Sequence, residues 1–252
     1  AAPRAPRPRD LPESIFEERK TEIPAGAWGD NPKLKVLARS LDADRDGKPE
    51  EVRYFDQKTG ALLRLEEDRD YDGRFDAWTV YANGAVVERR LDESGDGKPD
   101  AWEVYEGGVM ASREVDRDGD GTRDAFYRFA GGSLVEERHD QSGDGQIDRV
   151  VVYEGRRIVR VEEAREKRGA IDTWSHYGSG PAGEEVVVRL ERDTTGDGRP
   201  DVFEAYAQQG GKTVLVKREE DKNGDGQVDV TSIYENGKLV KREIADPALT
   251  PL

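Results

Sequence analysis

One nine-residue pattern, D-x-[DSTN]-x-D-G-x-x-[DE], recurs along most of this chain and constrains its fold more than any other feature. Aligned on their first position, its copies begin at Asp42, Asp68, Asp92, Asp116, Asp140, Ala164, Asp193 and Asp221, at spacings of 26, 24, 24, 24, 24, 29 and 28 residues. A near-constant period of this length marks a repeat architecture, in which each repeat is one supersecondary unit that buries its faces against its neighbours.

Seven copies are intact. They read Asp42, Asp44, Asp46, Gly47, Glu50; Asp68, Asp70, Asp72, Gly73, Asp76; Asp92, Ser94, Asp96, Gly97, Asp100; Asp116, Asp118, Asp120, Gly121, Asp124; Asp140, Ser142, Asp144, Gly145, Asp148; Asp193, Thr195, Asp197, Gly198, Asp201; and Asp221, Asn223, Asp225, Gly226, Asp229. Positions 1, 3, 5 and 9 all offer side-chain oxygen, and Gly at position 6 permits a sharp turn. Position 7 holds Lys48, Arg74, Lys98, Thr122, Gln146, Arg199 and Gln227, a mixture that makes sense if the backbone carbonyl is the ligand there. An all-oxygen donor set on flexible loops suits Ca²⁺ better than Mg²⁺ or a transition metal. The only imidazoles are His139 and His176, which are expected to be structural. The expectation is about seven calcium ions, which would bring the net charge from -15 to about -1. Solvated Asp-Gly turns without metal are the plainer alternative.

The sixth copy departs from the pattern. It reads Ala164, Glu166, Arg168, Gly169, Asp172, so the first ligand is lost and a cation replaces the third. It is expected to hold no ion. Either Arg168 takes the ion's place and pairs with Glu166 and Asp172, or the loop is a decayed turn.

Between the loops the pattern is that of β-hairpins. Each loop leads into a short alternating run such as 76–81 (DAWTVY) or 100–105 (DAWEVY). Position 14 is aromatic in every unit: Phe55, Tyr81, Tyr105, Phe129, Tyr153, Tyr177, Tyr206 and Tyr234. Asn83-Gly84, Gly107-Gly108, Gly131-Gly132 and Asn236-Gly237 then supply tight hairpin turns. A returning strand carries an apolar pair six and five residues before the next loop, as in Leu62/Leu63, Val86/Val87 and Leu215/Val216. In the Asn83-Gly84 hairpin, Tyr81 is expected opposite Val86 and Val80 opposite Val87, with Trp78, Val80 and Val87 on the buried face. The result is an all-β chain, an antiparallel meander of about eight hairpin repeats and about 17 strands. Its curled, superhelical, barrel or propeller closure is left open by sequence. The longer spacings predict protruding turns at 178–185 and 207–212.

The domain reading is a Pro/Arg-rich tether with a short cap over 1–29, a repeat domain over 30–245 and a tail over 246–252. Residues 13–20 are read as a helical turn or two. Hydrophobic residues make up only 34% of the 252, too few for a thick core, so something besides apolar burial must hold the fold. The absence of Cys excludes disulfides, thiol catalysis and Cys-ligated zinc. The acidity argues against a nucleic-acid partner, and no apolar run is long enough for a membrane helix.

The loops resemble those of thrombospondin type 3 repeats and dockerins. They are also similar to the loops inside FG-GAP and integrin α propeller hairpins, where the motif joins two strands and holds Ca²⁺ structurally. The hairpins resemble bacterial YD-type and MORN-like repeats, through Tyr234, Gly237, Leu239 and Val240. The match covers loops and hairpin halves only. EF-hands are set apart, because a Glu at position 12 occurs only as Glu103 and Glu204. What the resemblance implies is calcium coordination at the matching loop residues.

No nucleophile elbow, phosphate loop or zinc-protease motif is present, so the chain is read as non-enzymatic. The leading reading is a calcium-stabilised repeat protein of the cell surface or periplasm, with a structural, adhesion or scaffolding role and an exported, lipoprotein-like tether. Its expected partners are calcium and a surface protein or polysaccharide. The alternatives are a carbohydrate- or protein-binding module using an exposed aromatic stripe at position 14, a calcium sensor, and a calcium-dependent enzyme.

Overall fold

The structure, a computed structural model, describes residues 17–165 and 170–245. Every regular element among them is a β-strand, and the chain divides after Arg123 into two compact units. The first unit holds β1 (Glu17–Ile23), β2 (Leu34–Leu41), β3 (Glu51–Asp56), β4 (Leu62–Glu67), β5 (Ala77–Ala82), β6 (Ala85–Leu91), β7 (Ala101–Glu106) and β8 (Val109–Val115). The second holds β9 (Ala125–Ala130), β10 (Ser133–His139), β11 (Arg149–Glu154), β12 (Arg157–Glu163), β13 (Thr173–Ser179), β14 (Glu185–Arg192), β15 (Val202–Gln209), β16 (Lys212–Glu220), β17 (Val230–Glu235) and β18 (Lys238–Ile244). Within each unit every strand pairs antiparallel with the next in sequence, so both units are meanders, as the repeat predicts.

Among the described residues there are eighteen strands rather than about seventeen, because β1 precedes the repeats. The helical turn expected over 13–20 is therefore corrected from Glu17 onward: Glu17–Ile23 pairs residue by residue with β2. Tertiary pairing overrides the helical propensity of Glu, Arg and Lys here. Residues 1–16 and the tail at 246–252 lie outside the described residues. The following segment folds back over the first hairpin. Trp28 packs edge-on against Tyr54 at 5.0 Å between centroids, and the Arg64 guanidinium lies 5.1 Å from its ring.

The tight turns form where expected. Asn83 and Gly84 have φ of 52° and 80°, and Gly107 and Gly108 of 59° and 80°, the two consecutive positive values that a primed hairpin turn needs. The extra residues at 207–212 do not form a protruding turn. They lengthen β15 and β16, which close on a tight Gly210-Gly211 turn. The other long spacing does give a longer turn, closed by the Gly180 N–H on the Glu184 carbonyl at 2.7 Å.

The register in the hairpins differs from simple alternation. Tyr81 does face Val86, but Val80 faces Glu88, so Val87 is an extra residue in a β-bulge. The same shift leaves Leu63, Ala111, Val135, Val159, Val188, Val216 and Val240 unpaired. The recurrent apolar pair is thus one partner for the aromatic ring plus one bulged residue, and each bulge sharpens the local twist of its hairpin.

The buried face is also not the expected one. The Trp78/Val80 side is only half-buried, whereas Ala77 is fully buried and Thr79 nearly so. Positions 10 and 12, not 11 and 13, form the dry column. Ala77, Leu91, Ala101 and Val115 pair in turn across β5, β6, β7 and β8 and pack together. The second unit buries Ala125, Val151, Val161, Ser175, Val202, Val230 and Ser232 at the same positions or their cross-strand partners. Small residues dominate, which fits a chain with too few large apolar side chains for a thick core.

Charge fills the remaining space on that face. Glu103, at 4% exposure, accepts from Arg113 and from the Tyr105 hydroxyl, both at 2.7 Å. Glu204 accepts from Arg192 at 2.8 Å and from the Tyr206 hydroxyl at 2.7 Å. The two glutamates at position 12 are therefore sheet-face residues and not loop ligands. Burial, reinforced by the bonded glutamate, pushes the phenols of Tyr105, Tyr153 and Tyr206 up to about 12. All eight position-14 rings are half-buried, and none forms part of an exposed stripe.

Candidate metal centres

The first three, the fifth, the seventh and the eighth of the acidic loops are closed at their base by the sheet. The N–H of position 9 donates to the carbonyl just before the loop, as in Glu50 to Leu41, Asp76 to Glu67, Asp100 to Leu91 and Asp201 to Arg192, at 2.8–2.9 Å. A second bond joins each loop to its predecessor. The N–H of position 1 donates to the carbonyl of the preceding position 9: Asp68 to Glu50, Asp92 to Asp76, Asp116 to Asp100, Asp140 to Asp124 and Asp221 to Asp201, at 2.8–2.9 Å. Within each unit the loops are therefore stacked along one margin of the meander by a backbone ladder. The sixth copy keeps this ladder through Ala164 and Asp172, although it has lost the ligand pattern.

Inside the loops the carboxylates organise the backbone. The position 1 carboxylate accepts from the N–H groups of positions 4 and 6. For Asp68 these are Tyr71 at 2.7 Å and Gly73 at 2.8 Å, for Asp92 Gly95 and Gly97 at 2.6 Å, for Asp116 Gly119 at 2.8 Å and Gly121 at 2.9 Å, and for Asp140 Gly143 and Gly145 at 2.7 Å. Asp221 does the same with Gly224 and Gly226, Asp193 with Gly196 and Gly198, and Asp42 accepts from Gly47. Position 3 accepts from position 5 where its side chain is long enough, in Asp44, Asp70, Asp118 and Asn223. Ser94, Ser142 and Thr195 instead donate their hydroxyls to position 1, at 3.2–3.3 Å. Position 5 (Asp46, Asp72, Asp96, Asp120, Asp144, Asp197 and Asp225) accepts from the N–H of position 7 at 2.6–2.9 Å. Position 9 reaches back to the N–H of position 2, as Asp76 does to Arg69 at 2.7 Å and Asp229 to Lys222 at 2.7 Å; Glu50 likewise takes the Ala43 N–H.

Two backbone positions in each loop require left-handed conformation, not one. Position 6 is Gly throughout, with φ of 85–93°. Position 4 also has positive φ, in Gly95, Gly119, Gly143, Gly196 and Gly224, and in Arg45 (66°) and Tyr71 (67°). The recurrence of Gly at position 4 was the signal for this second turn.

The oxygens converge. In the first loop one oxygen each from Asp42, Asp44, Asp46 and Glu50 lies within 4.8 Å of the others, and in the second loop the same holds for Asp68, Asp70 and Asp76. Two ligand oxygens on opposite sides of a Ca²⁺ ion stand about 4.6–5.2 Å apart, so these groups fit around one such ion. Position 7 carries Lys48, Arg74, Lys98, Thr122, Gln146, Arg199 and Gln227, whose N–H groups are tied to position 5.

Proximity of like charge shows in the titration of these groups. Burial pushes the Glu50 and Asp76 carboxyls up, and their neighbours Asp44 and Asp42, or Asp70 and Asp68, add to the rise against the N–H bonds that oppose it. Burial acts in the same sense on Asp140 and Asp221, but the N–H groups of the two loop glycines and the other loop donors outweigh it and hold both below the usual range. In the sixth copy Asp172, at 2% exposure, accepts from the Arg165 N–H at 3.0 Å and the Thr173 hydroxyl at 2.8 Å. Glu166 and Arg168, whose pairing with it was one of the two sequence-based expectations, lie outside the described residues.

No family model matches this chain, and no curated protein matches. Among solved structures, one titled "Crystal Structure of TarM" is 10% identical, with a TM-score of 0.19 over 60% of this chain and 21% of that one. Another, "Crystal Structure of TcdB2-TccC3-Cdc42", is 10% identical, with a TM-score of 0.22 over 92% of this chain and 15% of that one. This chain spans about a fifth or less of either, and likeness at this level carries no argument about function.

Proposed function

We propose that this chain is a non-enzymatic, calcium-binding β-repeat protein, in which about seven Ca²⁺ ions stabilise stacked hairpins for a structural, adhesive or scaffolding role outside the cytoplasm. The observation that carries the reading is the convergence of the Asp42, Asp44, Asp46 and Glu50 oxygens to within 4.8 Å, in a loop whose sequence pattern recurs six more times. All donors are oxygen, from carboxylates, hydroxyls, an amide and backbone carbonyls, a set that suits a hard cation. Sites built from exposed loops work at the millimolar calcium of extracellular fluids rather than at cytosolic levels. The role is then one of folding free energy: ions that bind the folded loops stabilise them by mass action.

The test is thermal unfolding of the full chain in calcium and in chelator, with bound metal counted by native mass spectrometry. The expected result is a higher midpoint in calcium and about seven ions per chain. A midpoint indifferent to chelator defeats the reading.

A further inference from the structure

Strand β18 leaves one edge open. Among the described residues it pairs with β17 alone, and β1 pairs with β2 alone. Elsewhere a returning strand gives its last four residues to the next hairpin: Arg64–Glu67 to β5, Glu88–Leu91 to β7, Arg189–Arg192 to β15 and Lys217–Glu220 to β17. The equivalent residues of β18 are Lys241–Ile244, and they pair only inward, with Val230–Ile233. Burial records the missing neighbour. Leu91 and Glu220, which end β6 and β16, are 5% and 6% exposed, whereas Ile244 is 37% exposed. Leu239 and Val240 are exposed, against half-buried Leu215 and Val216 in β16. The Ala245 N–H nevertheless donates to the Asp229 carbonyl at 2.7 Å, the same step that begins the loops at Asp68, Asp92 and Asp221. In backbone terms β18 is therefore an inner returning strand with one side uncovered.

We infer that the open edge of β18 takes up β1 of a second copy of this chain, antiparallel, so that copies join head to tail. An unpaired strand edge offers backbone donors and acceptors to any complementary strand. Charge selects β1: Lys238–Ile244 carries three cations against one carboxylate, and Glu17–Ile23 carries three carboxylates against two cations. Burial restricts the register. Arg242 and Ile244 lie opposite buried Ser232 and Val230, and Arg19 and Thr21 lie opposite buried Ala38 and Val36, so all four belong to the dry face of their strands. A continuous dry face therefore sets Arg242 against an odd-numbered residue of β1. Opposite Arg19 it brings like charges together throughout, Lys241 on Lys20 and Glu243 on Glu18 included, and opposite Ile23 it sets Glu243 against Glu22. Opposite Glu17 or Thr21 the charges match. Lys241 then meets Glu18 or Glu22, and in the second register Glu243 also meets Lys20. Self-pairing of β18 is disfavoured, because a two-fold axis at Lys241, Arg242 or Glu243 sets that charge against its own copy. A head-to-tail contact builds open chains or rings of copies rather than a closed dimer. Neither strand holds a loop ligand, so the pairing stands apart from the calcium reading.

The test is sedimentation velocity of the full chain over a range of concentrations at physiological salt, which screens the net charge of -15 beyond about 8 Å. The mean mass should rise with concentration past that of a dimer. Lys241→Glu should weaken association roughly tenfold, and so should Glu18→Lys combined with Glu22→Lys, which replaces the residue facing Lys241 in either register. Circular dichroism should show both variants folded. An equal mixture of the two should assemble like the wild type, because the glutamate on one edge then meets the lysines on the other, a rescue that misfolding does not produce. A chain that stays monomeric at every concentration overturns the pairing and leaves Lys241 and Arg242 as guards of the edge. Association that Lys241→Glu leaves unchanged overturns the use of β18. A mass that stops at the dimer, or variants that do not rescue each other, overturns the head-to-tail arrangement.

Discussion

Replacing Asp193 by Asn separates the two jobs assigned to position 1. The Asp193 carboxylate is almost wholly buried and accepts from Gly196 through Oδ1 and from Gly198 through Oδ2, the latter at 2.8 Å. Asn retains one carbonyl oxygen, so one of these charge-assisted bonds is lost and the other becomes neutral. A hydrogen bond to a charged group contributes about 1.5–3 kcal/mol, and that is the loss expected in chelator. In calcium the loss should be larger, because a charged ligand is gone. Each tenfold weakening of the site removes about 1.4 kcal/mol more at saturating calcium. The assay is urea denaturation of the full chain in both buffers, with Asp172→Asn as the internal control. Asp172 keeps comparable bonds, to Arg165 and Thr173, in the one copy without the ligand pattern, so its loss should be the same with and without calcium. An equal loss for Asp193→Asn in the two buffers would refute the argument and reduce Asp193 to a turn staple.

Two further outcomes follow from the sheet. The phenols of Tyr105, Tyr153 and Tyr206 titrate near 12 in the folded chain against about 10 when unfolded, so their contribution is complete below pH 10 and is lost as pH rises through 12. Alkaline unfolding monitored by circular dichroism should show this, and Tyr206→Phe should flatten the slope. Ala101→Leu should destabilise the first unit by about 1–3 kcal/mol in denaturant melts, because Ala101 is fully buried beside Leu91 and Val115 and has no room for added methylenes. A neutral substitution there would mean that the column at positions 10 and 12 is not the packed one.

Much of this molecule was determined by its linear pattern. A 24-residue period, Asn-Gly and Gly-Gly pairs, and alternating β-formers dictate an antiparallel meander, because each acts on a neighbour only a few residues away. The acid positions of the loops were legible for the same reason: an Asx-type loop closes on itself, and its spacing carries its geometry. The sequence did not reveal what depends on contacts between strands. Which apolar residue is the bulge, and hence that Val80 meets Glu88, follows from how the hairpins twist. The choice of Ala77, Thr79 and Ala101 over Trp78 and Val80 as the dry face is set by tertiary burial, since both sets alternate equally well along the strand. Strand β1 was hidden because a lone Glu-Arg-Lys segment has no strand propensity until β2 offers it a partner.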